Sequence, residues 1–288
     1  MAQMIIDGEH VGTPEVAVTS PYDGSVVDVV PSAGPAEMER ALAVAERAAQ
    51  RLKRTTGYER SGWLRQAAAL LNQRGEEIAR TITREEGKIL AESRFEVSRA
   101  VETLTVSAEE SKRIAGDGIP LDGAPGAGER FGFTLRVPCG VVVAITPFNF
   151  PLNLVAHKLG PALAAGNAVI VKPASDTPLT AIRLVELLLE GGAPPGAVQC
   201  LTGPGATLGE ALCRDRRVRK VSFTGSYEVG ERICRAAGMK RVTMELGSNA
   251  PLIVMDDADL ERVVNATVAT GYSNAGQVCI SAQRVLVD

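Results

Sequence analysis

The sequence predicts an α/β protein: a doubly wound, parallel-sheet domain of the dinucleotide-binding type, with an N-terminal helical segment before it and the opening part of a second α/β unit after it. Three observations predict this. Between Gly140 and Glu245, continuous apolar, β-branched runs alternate with amphipathic stretches, the pattern of parallel strands covered on both faces by crossover helices. Two strand-to-helix junctions in that region carry glycines, GPGATLG (Gly203, Gly205, Gly209) and FTGSYEVG (Gly225, Gly230), and backbone N–H groups at a helix start favour phosphate. Residues from about 34 to 115 carry apolar positions at three- and four-residue steps, as helices do.

MIIDGEHV and SVVDVVP are short strand-like pieces, followed by helices in AEMERALAVAERAAQRL and ERSGWLRQAAALLNQRGEEIARTI, and by a third amphipathic stretch from about Glu85 to Ile114. The Gly- and Pro-rich GDGIPLDGAPGAGER is a loop, and FGFTLRVP alternates like a strand; residues 118–138 together form an extended, hairpin-like segment. Then come strand VVVAITP, helix LNLVAHKLGPALAAG, strand NAVIVKP, helix TPLTAIRLVELLLEGG, strand AVQCLTG, short helix ATLGEALCRD, strand VRKVSFTG and helix YEVGERICRAAG. Ligands of such sheets bind at the carboxyl ends of the strands. After RVTMELGSNAPLIVM a new unit begins. Asp256 or Asp257 can cap a helix through DADLERVVNATVATGYSNAG, and a cysteine loop leads into RVLVD. The expected division is 1–245 for the helical region and dinucleotide-binding domain, and 246–288 for the start of an incomplete second domain.

Composition narrows the function. A formal net charge of −3 gives no support to nucleic-acid or anionic-membrane binding. The basic run RDRRVRK, Arg214 to Lys220, reads as a solvated loop before a buried strand. No apolar run approaches the roughly 18 residues needed to cross a bilayer, and MAQMIIDGEH has no signal-peptide pattern, so a cytoplasmic protein is expected. The five cysteines are scattered, which fits no disulfide framework. With only His10 and His157 besides, no cluster has metal-ligand spacing.

Four side chains carry chemistry. Cys139, Cys200, Cys213 and Cys234 lie in or beside apolar segments and read as small core residues, whereas Cys279 follows SNAGQ at a helix-to-loop junction. Glu245 in TMELGSNAP ends an apolar strand and is aimed at the sheet's functional edge, where it serves as a base or a simple cap. Asn149 in PFNFP stands between aromatics and prolines just past the first sheet strand, a rigid frame for a hydrogen-bond donor or for a turn. Lys172 in KPAS ends another strand, placed for a ribose hydroxyl, a phosphate or solvent. Together they fit one mechanism: the Cys279 thiolate attacks an aldehyde, the Asn149 amide and a backbone N–H near Cys279 hold the oxyanion, hydride leaves to a nicotinamide, and Glu245 activates water against the thioester. A short-chain dehydrogenase needs Tyr-x-x-x-Lys. Tyr22, Tyr58, Tyr227 and Tyr272 are followed at that spacing by Val26, Gly62, Glu231 and Gly276, so that reading fails.

PFNFP, VIVKPAS with TPL, FTGS, MELGSNAP and GQVC resemble, in order and spacing, the motifs of the aldehyde dehydrogenase superfamily. The resemblance covers essentially the whole chain. It implies Cys279 as nucleophile, Glu245 as general base and Asn149 as oxyanion donor. It implies Lys172 at the adenosine ribose, Gly225 and Ser226 near the pyrophosphate, and Pro147, Phe148, Ser175 and Gly205 in the cofactor site, with Lys158 near the active site as a proton relay. Glu245 argues against the branch that forms acyl-CoA. Relatives with glutamate at the position of Ser175 tend to prefer NAD, since that acid repels a 2′-phosphate; serine here favours NADP slightly over NAD.

LGSNAP resembles bacterial relatives acting on short, polar aldehydes, such as lactaldehyde, succinate semialdehyde, glyceraldehyde-3-phosphate and phosphonoacetaldehyde. Arg99, on a helix that borders the family's substrate channel, is the candidate for an anionic tail, or else a surface charge. Family members run to nearly 500 residues and form homo-oligomers. The sequence therefore reads as part of a longer enzyme, with an exposed apolar edge at RVLVD that predicts poor solubility and no turnover for the isolated chain. The rival reading is a nucleotide-binding module without chemistry.

Overall fold

The computed structural model describes all residues 1–288. MIIDGEHV forms a hairpin rather than one strand: Asp7 and Gly8, at φ 57° and 79°, turn β1 (Met4–Ile6) onto β2 (Glu9–Val11). A second ribbon pairs β3 (Val16–Thr19) with β4 (Val26–Val30). Four helices follow: α1 (Pro35–Leu52), α2 (Gly57–Gln73), α3 (Gly75–Glu86) and α4 (Leu90–Glu110). The third amphipathic stretch was expected from Glu85, but α4 starts at Leu90, because Gly87 at φ 87° ends α3. Glu85 and Glu86 thus close α3 and lie on its buried side.

In residues 118–138 only β5 (Gly118–Ile119) and β6 (Gly132–Phe133) pair, and Phe131, Phe133, Leu135 and Val137 are exposed. The alternation of FGFTLRVP gives a longer strand in sequence than in the fold, since nothing within these residues covers that segment's apolar side.

The sheet then builds from β7 (Val141–Ile145), α5 (Asn153–Ala164), β8 (Ala168–Lys172), α6 (Leu179–Glu190), β9 (Val198–Cys200), α7 (Glu210–Arg214), β10 (Val218–Thr224), α8 (Tyr227–Ala237) and β11 (Arg241–Glu245). ATLGEALCRD is not one helix. A wide turn of π type spans Gly205–Gly209 and leads into α7. The strand order is β11-β10-β7-β8-β9-β1-β2. The five strands β7 to β11 run parallel, and β1 joins the edge antiparallel to β9. That edge is invisible in an α/β repeat pattern because β1 comes from the far N-terminus. Every residue of β7, β8 and β9 is buried, the expected burial of strands covered on both faces.

The chain winds outward from β7 in two directions, through β8 and β9 on one side and through β10 and β11 on the other. The crevice at the carboxyl ends of β7 and β10 is therefore the topological switch point where such sheets bind ligands. Past β11, β12 (Pro251–Val254) and β13 (Arg284–Val287) pair parallel in a separate two-stranded sheet. Between them lies α9 (Leu260–Gly271), capped by Asp259 and not by Asp256 or Asp257: Asp259 Oδ1 accepts from Glu261 N and Arg262 N at 3.1 and 3.2 Å. Cys200 and Cys213 are core residues, but Cys234 faces solvent on α8. No helix is long and apolar enough to cross a membrane.

Candidate active site

A cleft of about 370 Å³ opens at the switch point. Its walls come from Pro147, Phe148 and Asn149 after β7, from Thr224, Gly225 and Ser226 after β10, from Leu246 to Ser248 after β11, and from Gly276 to Cys279. Three parallel strands, β7, β10 and β11, end side by side here, and hydrogen bonds from Asn149 and Ser248 hold the Gly276–Cys279 loop against them.

The Asn149 side chain donates from Nδ2 to Gln277 O at 2.7 Å. An amide turned the other way would set two oxygens against each other, so the donor is fixed. One Nδ2–H is used and the other makes no hydrogen bond, while Oδ1 is buried without a partner. Cys279 is exposed at the cleft. Its carbonyl accepts from the Ser248 hydroxyl, which ties LGSNAP to the thiol loop. Just before the thiol, Asn274, Ala275 and Gly276 hold φ of 48°, 56° and 77°. Such left-handed backbone costs about 1–3 kcal/mol at a non-glycine residue and clusters at functional sites.

Glu245 ends β11, paired with Thr224, and its carbonyl accepts from Gly225 N at 3.1 Å. Its side chain is exposed and stands just outside the cleft lining, next to Leu246. Lys158, buried on α5, donates to Ser222 Oγ at 3.1 Å. Burial pulls its ammonium down to about 8, against the opposing charge of Glu245. Arg99 is exposed on α4 and does not line the cleft that holds the thiol. The Thr103 hydroxyl one turn on donates to Asn153 Oδ1 at 3.0 Å and stands 3.5 Å from His157 Nε2. His157 on α5 is held below its ordinary pKa by burial and by the charge of Arg99.

Lys172 is not a surface charge. It is buried, with Nζ donating to Pro173 O at 2.6 Å and Gly203 O at 3.0 Å, and burial lowers it to about 8. Ser175 is exposed beside it and donates to the same Gly203 carbonyl at 3.3 Å. A slot of about 150 Å³ lies between the Gly205–Gly209 turn and α8, lined by Ile145, Gly205, Ala206, Glu210, Val229 and Ile233 among others.

Residues 7–288 match the model of the aldehyde dehydrogenase family. The chain belongs to the aldehyde dehydrogenase family. It is 48% identical over 286 residues to a 3-sulfolactaldehyde dehydrogenase of Priestia aryabhattai, an alignment that takes in 99% of this chain and 59% of that protein. Among solved structures, the NADP-dependent glyceraldehyde-3-phosphate dehydrogenase of Bacillus halodurans complexed with NADP superposes with TM-score 0.96 and 36% identity, over 100% of this chain and 61% of that one. An NAD-dependent aldehyde dehydrogenase of Sinorhizobium meliloti superposes with TM-score 0.92 and 35% identity, over 100% and 58%. The chain thus spans about 60% of the length of these relatives.

Aldehyde dehydrogenases of this kind imply a nicotinamide dinucleotide, and the residues fit one. A Cβ at Gly225 would meet Phe223 Cζ at 2.4 Å, so the turn into α8 allows backbone and nothing more. Ser226 caps α8 by accepting from Val229 N at 3.4 Å, and the positive end of the helix favours an anion. The apolar slot suits a planar base, and Lys172 with Ser175 lies across from it at the end of β8.

Reading the sequence for chemistry missed Glu85, Glu86, Lys88, Glu96, Ser248 and Asn274. A signal existed for three of them. Ile78, Ala79 and Ile82 form the buried stripe of α3, and Glu85 and Glu86 continue it in register; Glu96 falls between Ser93 and Val97 on the stripe of α4. A charge where an apolar side chain is due marks a buried polar contact.

Proposed function

We propose that the enzyme containing this chain oxidises a short, anionic aldehyde to the carboxylic acid, with NADP taken in preference to NAD. The observation that carries this reading is the 2.7 Å bond from Asn149 Nδ2 to Gln277 O, which holds an amide donor and the Cys279 loop in one cleft.

The Cys279 thiolate attacks the carbonyl carbon, and the carbonyl π pair moves onto oxygen. The second Nδ2–H of Asn149 and a backbone N–H beside Cys279 receive that oxyanion. The oxygen pair then re-forms the C=O bond as a hydride leaves that carbon, which gives the thioester; a nicotinamide ring, when bound, would supply the acceptor for that hydride. Glu245 then removes a proton from water, the water oxygen attacks the thioester carbon, and the C–S bond breaks to restore the Cys279 thiolate. Lys158, partly neutral near pH 8 and within the field of Glu245, takes the proton onward.

The names of the similar enzymes, a sulfonate-bearing and a phosphate-bearing aldehyde among their substrates, support an anionic tail. Arg99, at the α4–α5 face beside a His157 whose charged form it disfavours, is the cation proposed to receive it. The absence of an acid at Ser175 supports NADP, with Lys172, Gly205, Gly225 and Ser226 as its contacts and Pro147 and Phe148 beside the nicotinamide. The proposed domain boundary follows Glu245, the last residue in the seven-stranded sheet. The exposed apolar side chains of residues 131–137 support a homo-oligomer.

For residues 1–288 taken alone we propose no turnover. Cys279 is exposed and α9 has no buried residue, so nothing within these residues excludes water from the thiol. Assays of NADPH formation with 3-sulfolactaldehyde and succinate semialdehyde test both statements. Turnover of the intact enzyme only on uncharged aldehydes would overturn the substrate assignment, and robust turnover by residues 1–288 would overturn the second.

A further inference from the structure

Lys88 lies between α3 and α4 with its side chain 0% exposed, as is that of Glu96. Its ammonium donates to Glu96 Oε2 at 2.7 Å and to Asn149 O at 2.7 Å, and sits 3.9 Å from the centroid of the Phe150 ring. The other Glu96 oxygen accepts from Leu152 N and Asn153 N at 2.9 and 3.0 Å, at the start of α5. The Asn149 carbonyl takes a second donor, Asn274 Nδ2 at 3.2 Å, which also donates to Glu86 Oε1 at 2.8 Å.

These contacts close a circuit. Asn274 O accepts from Gln277 N at 3.1 Å and from Gln277 Nε2 at 3.3 Å, and Gln277 O accepts from Asn149 Nδ2. Main chain and side chain of Asn149 are thus both bonded to the loop that carries Cys279. The left-handed turn at Asn274 delivers its amide to that carbonyl. Burying an ammonium and a carboxylate is unfavourable even when they pair, and an apolar pair of the same volume fills a core as well or better. What Lys88 supplies that a methionine would not is a donor on Asn149 O.

We propose that Lys88 and Asn274 are positioning residues: together they hold the backbone of Asn149 against the thiol loop, so that the free Nδ2–H and Cys279 Sγ keep one fixed relation through the reaction. Neither touches the reacting atoms. The inference rests on the proposed aldehyde chemistry at Cys279.

The test uses the intact enzyme and three variants. Asn274→Gly keeps the left-handed backbone and removes the side-chain amide from Asn149 O and from Glu86 alike. Lys88→Met with Glu96→Gln removes both buried charges while the Gln carbonyl still caps α5. Glu86→Gln, the conservative control, leaves the Asn274 amide on Asn149 O. The first two should lower kcat by roughly ten- to hundredfold, the cost of about 1 Å of misplacement, with KM for aldehyde and dinucleotide within about twofold. Glu86→Gln should stay near wild type. Hydrogen exchange at the Gln277 amide should rise about tenfold or more in the Lys88→Met/Glu96→Gln variant, whose substitutions lie outside the loop. Unchanged kcat in both variants, or unchanged exchange at Gln277, would overturn the inference. Wild-type turnover that survives Cys279→Ala would instead overturn the proposed chemistry, and the exchange measurement would still decide this point.

Discussion

Gly225 stands against Phe223 so closely that a Cβ on it would lie 2.4 Å from the ring's Cζ. The glycine lets β10 turn into α8 over an aromatic floor, and Ser226 then caps the helix whose positive end faces the dinucleotide in the proposed complex. Gly225→Ala must move the ring or the turn, an overpacking that costs about 1–3 kcal/mol. The variant should melt lower than wild type and bind NADPH more weakly, as read by thermal denaturation and fluorescence titration. Wild-type melting and affinity would show that the turn has room to spare.

Ser175 sets the charge beside the proposed adenosine ribose. A carboxylate there would repel a 2′-phosphate, so Ser175→Glu should move the ratio of kcat/KM for NADP over NAD toward NAD by about tenfold or more. Measuring both cofactors in wild type and variant checks this. An unchanged ratio would remove Ser175 from cofactor choice.

Much of this was legible in the sequence, for identifiable reasons. The five parallel strands follow from runs such as VVVAI and AVIVK, whose residues are apolar without alternation because both faces are covered. Cys279, Asn149 and Glu245 follow from motif context, and the structure brings the first two into one cleft while leaving Glu245 at its rim. What stayed hidden depends on contacts made across the fold. The antiparallel strand β1, which sits between β9 and β2, is recruited from residues far from β9 in sequence. The cap of α9 turned on which of three nearby aspartates reaches the free N–H groups. The Lys88–Glu96 pair was hidden because a charge in an amphipathic helix is read as solvated unless its place on the buried stripe is checked.

As the proposed proton acceptor, Lys158 should give the enzyme a pH signature. Burial brings its ammonium down to about 8, so the fraction of neutral amine able to accept a proton rises as pH passes through that value. The kcat of the intact enzyme should therefore rise through a limb near pH 8, and Lys158→Met should flatten that limb. A limb that persists unchanged in the variant would assign it to another group.

Glu85 links pH to stability. Its carboxylate oxygens accept from Leu179 N at 2.7 Å, from Thr180 N at 2.9 Å and from the Thr180 hydroxyl, at the start of α6. Burial outweighs these bonds and lifts the carboxyl to about 7. The folded state then keeps a proton that the unfolded chain releases above its ordinary value of 4.5. The contribution to stability is full below that value and is lost as pH rises toward 7. Denaturant unfolding between pH 4.5 and 7 should show wild-type stability falling more steeply with pH than that of Glu85→Gln. Parallel slopes would contradict the assignment.

In the proposed reaction, the Cys279 sulfur forms a covalent bond to the carbonyl carbon of an aldehyde beside the Asn149 amide. The most direct measurement is mass spectrometry of the intact enzyme quenched during turnover, in wild type and in Glu245→Gln. A thioester of substrate mass should appear on the peptide carrying Cys279, accumulate in Glu245→Gln and be absent from Cys279→Ala, which should form no NADPH. Full turnover by Cys279→Ala, or an acyl group found on any other residue, would contradict it.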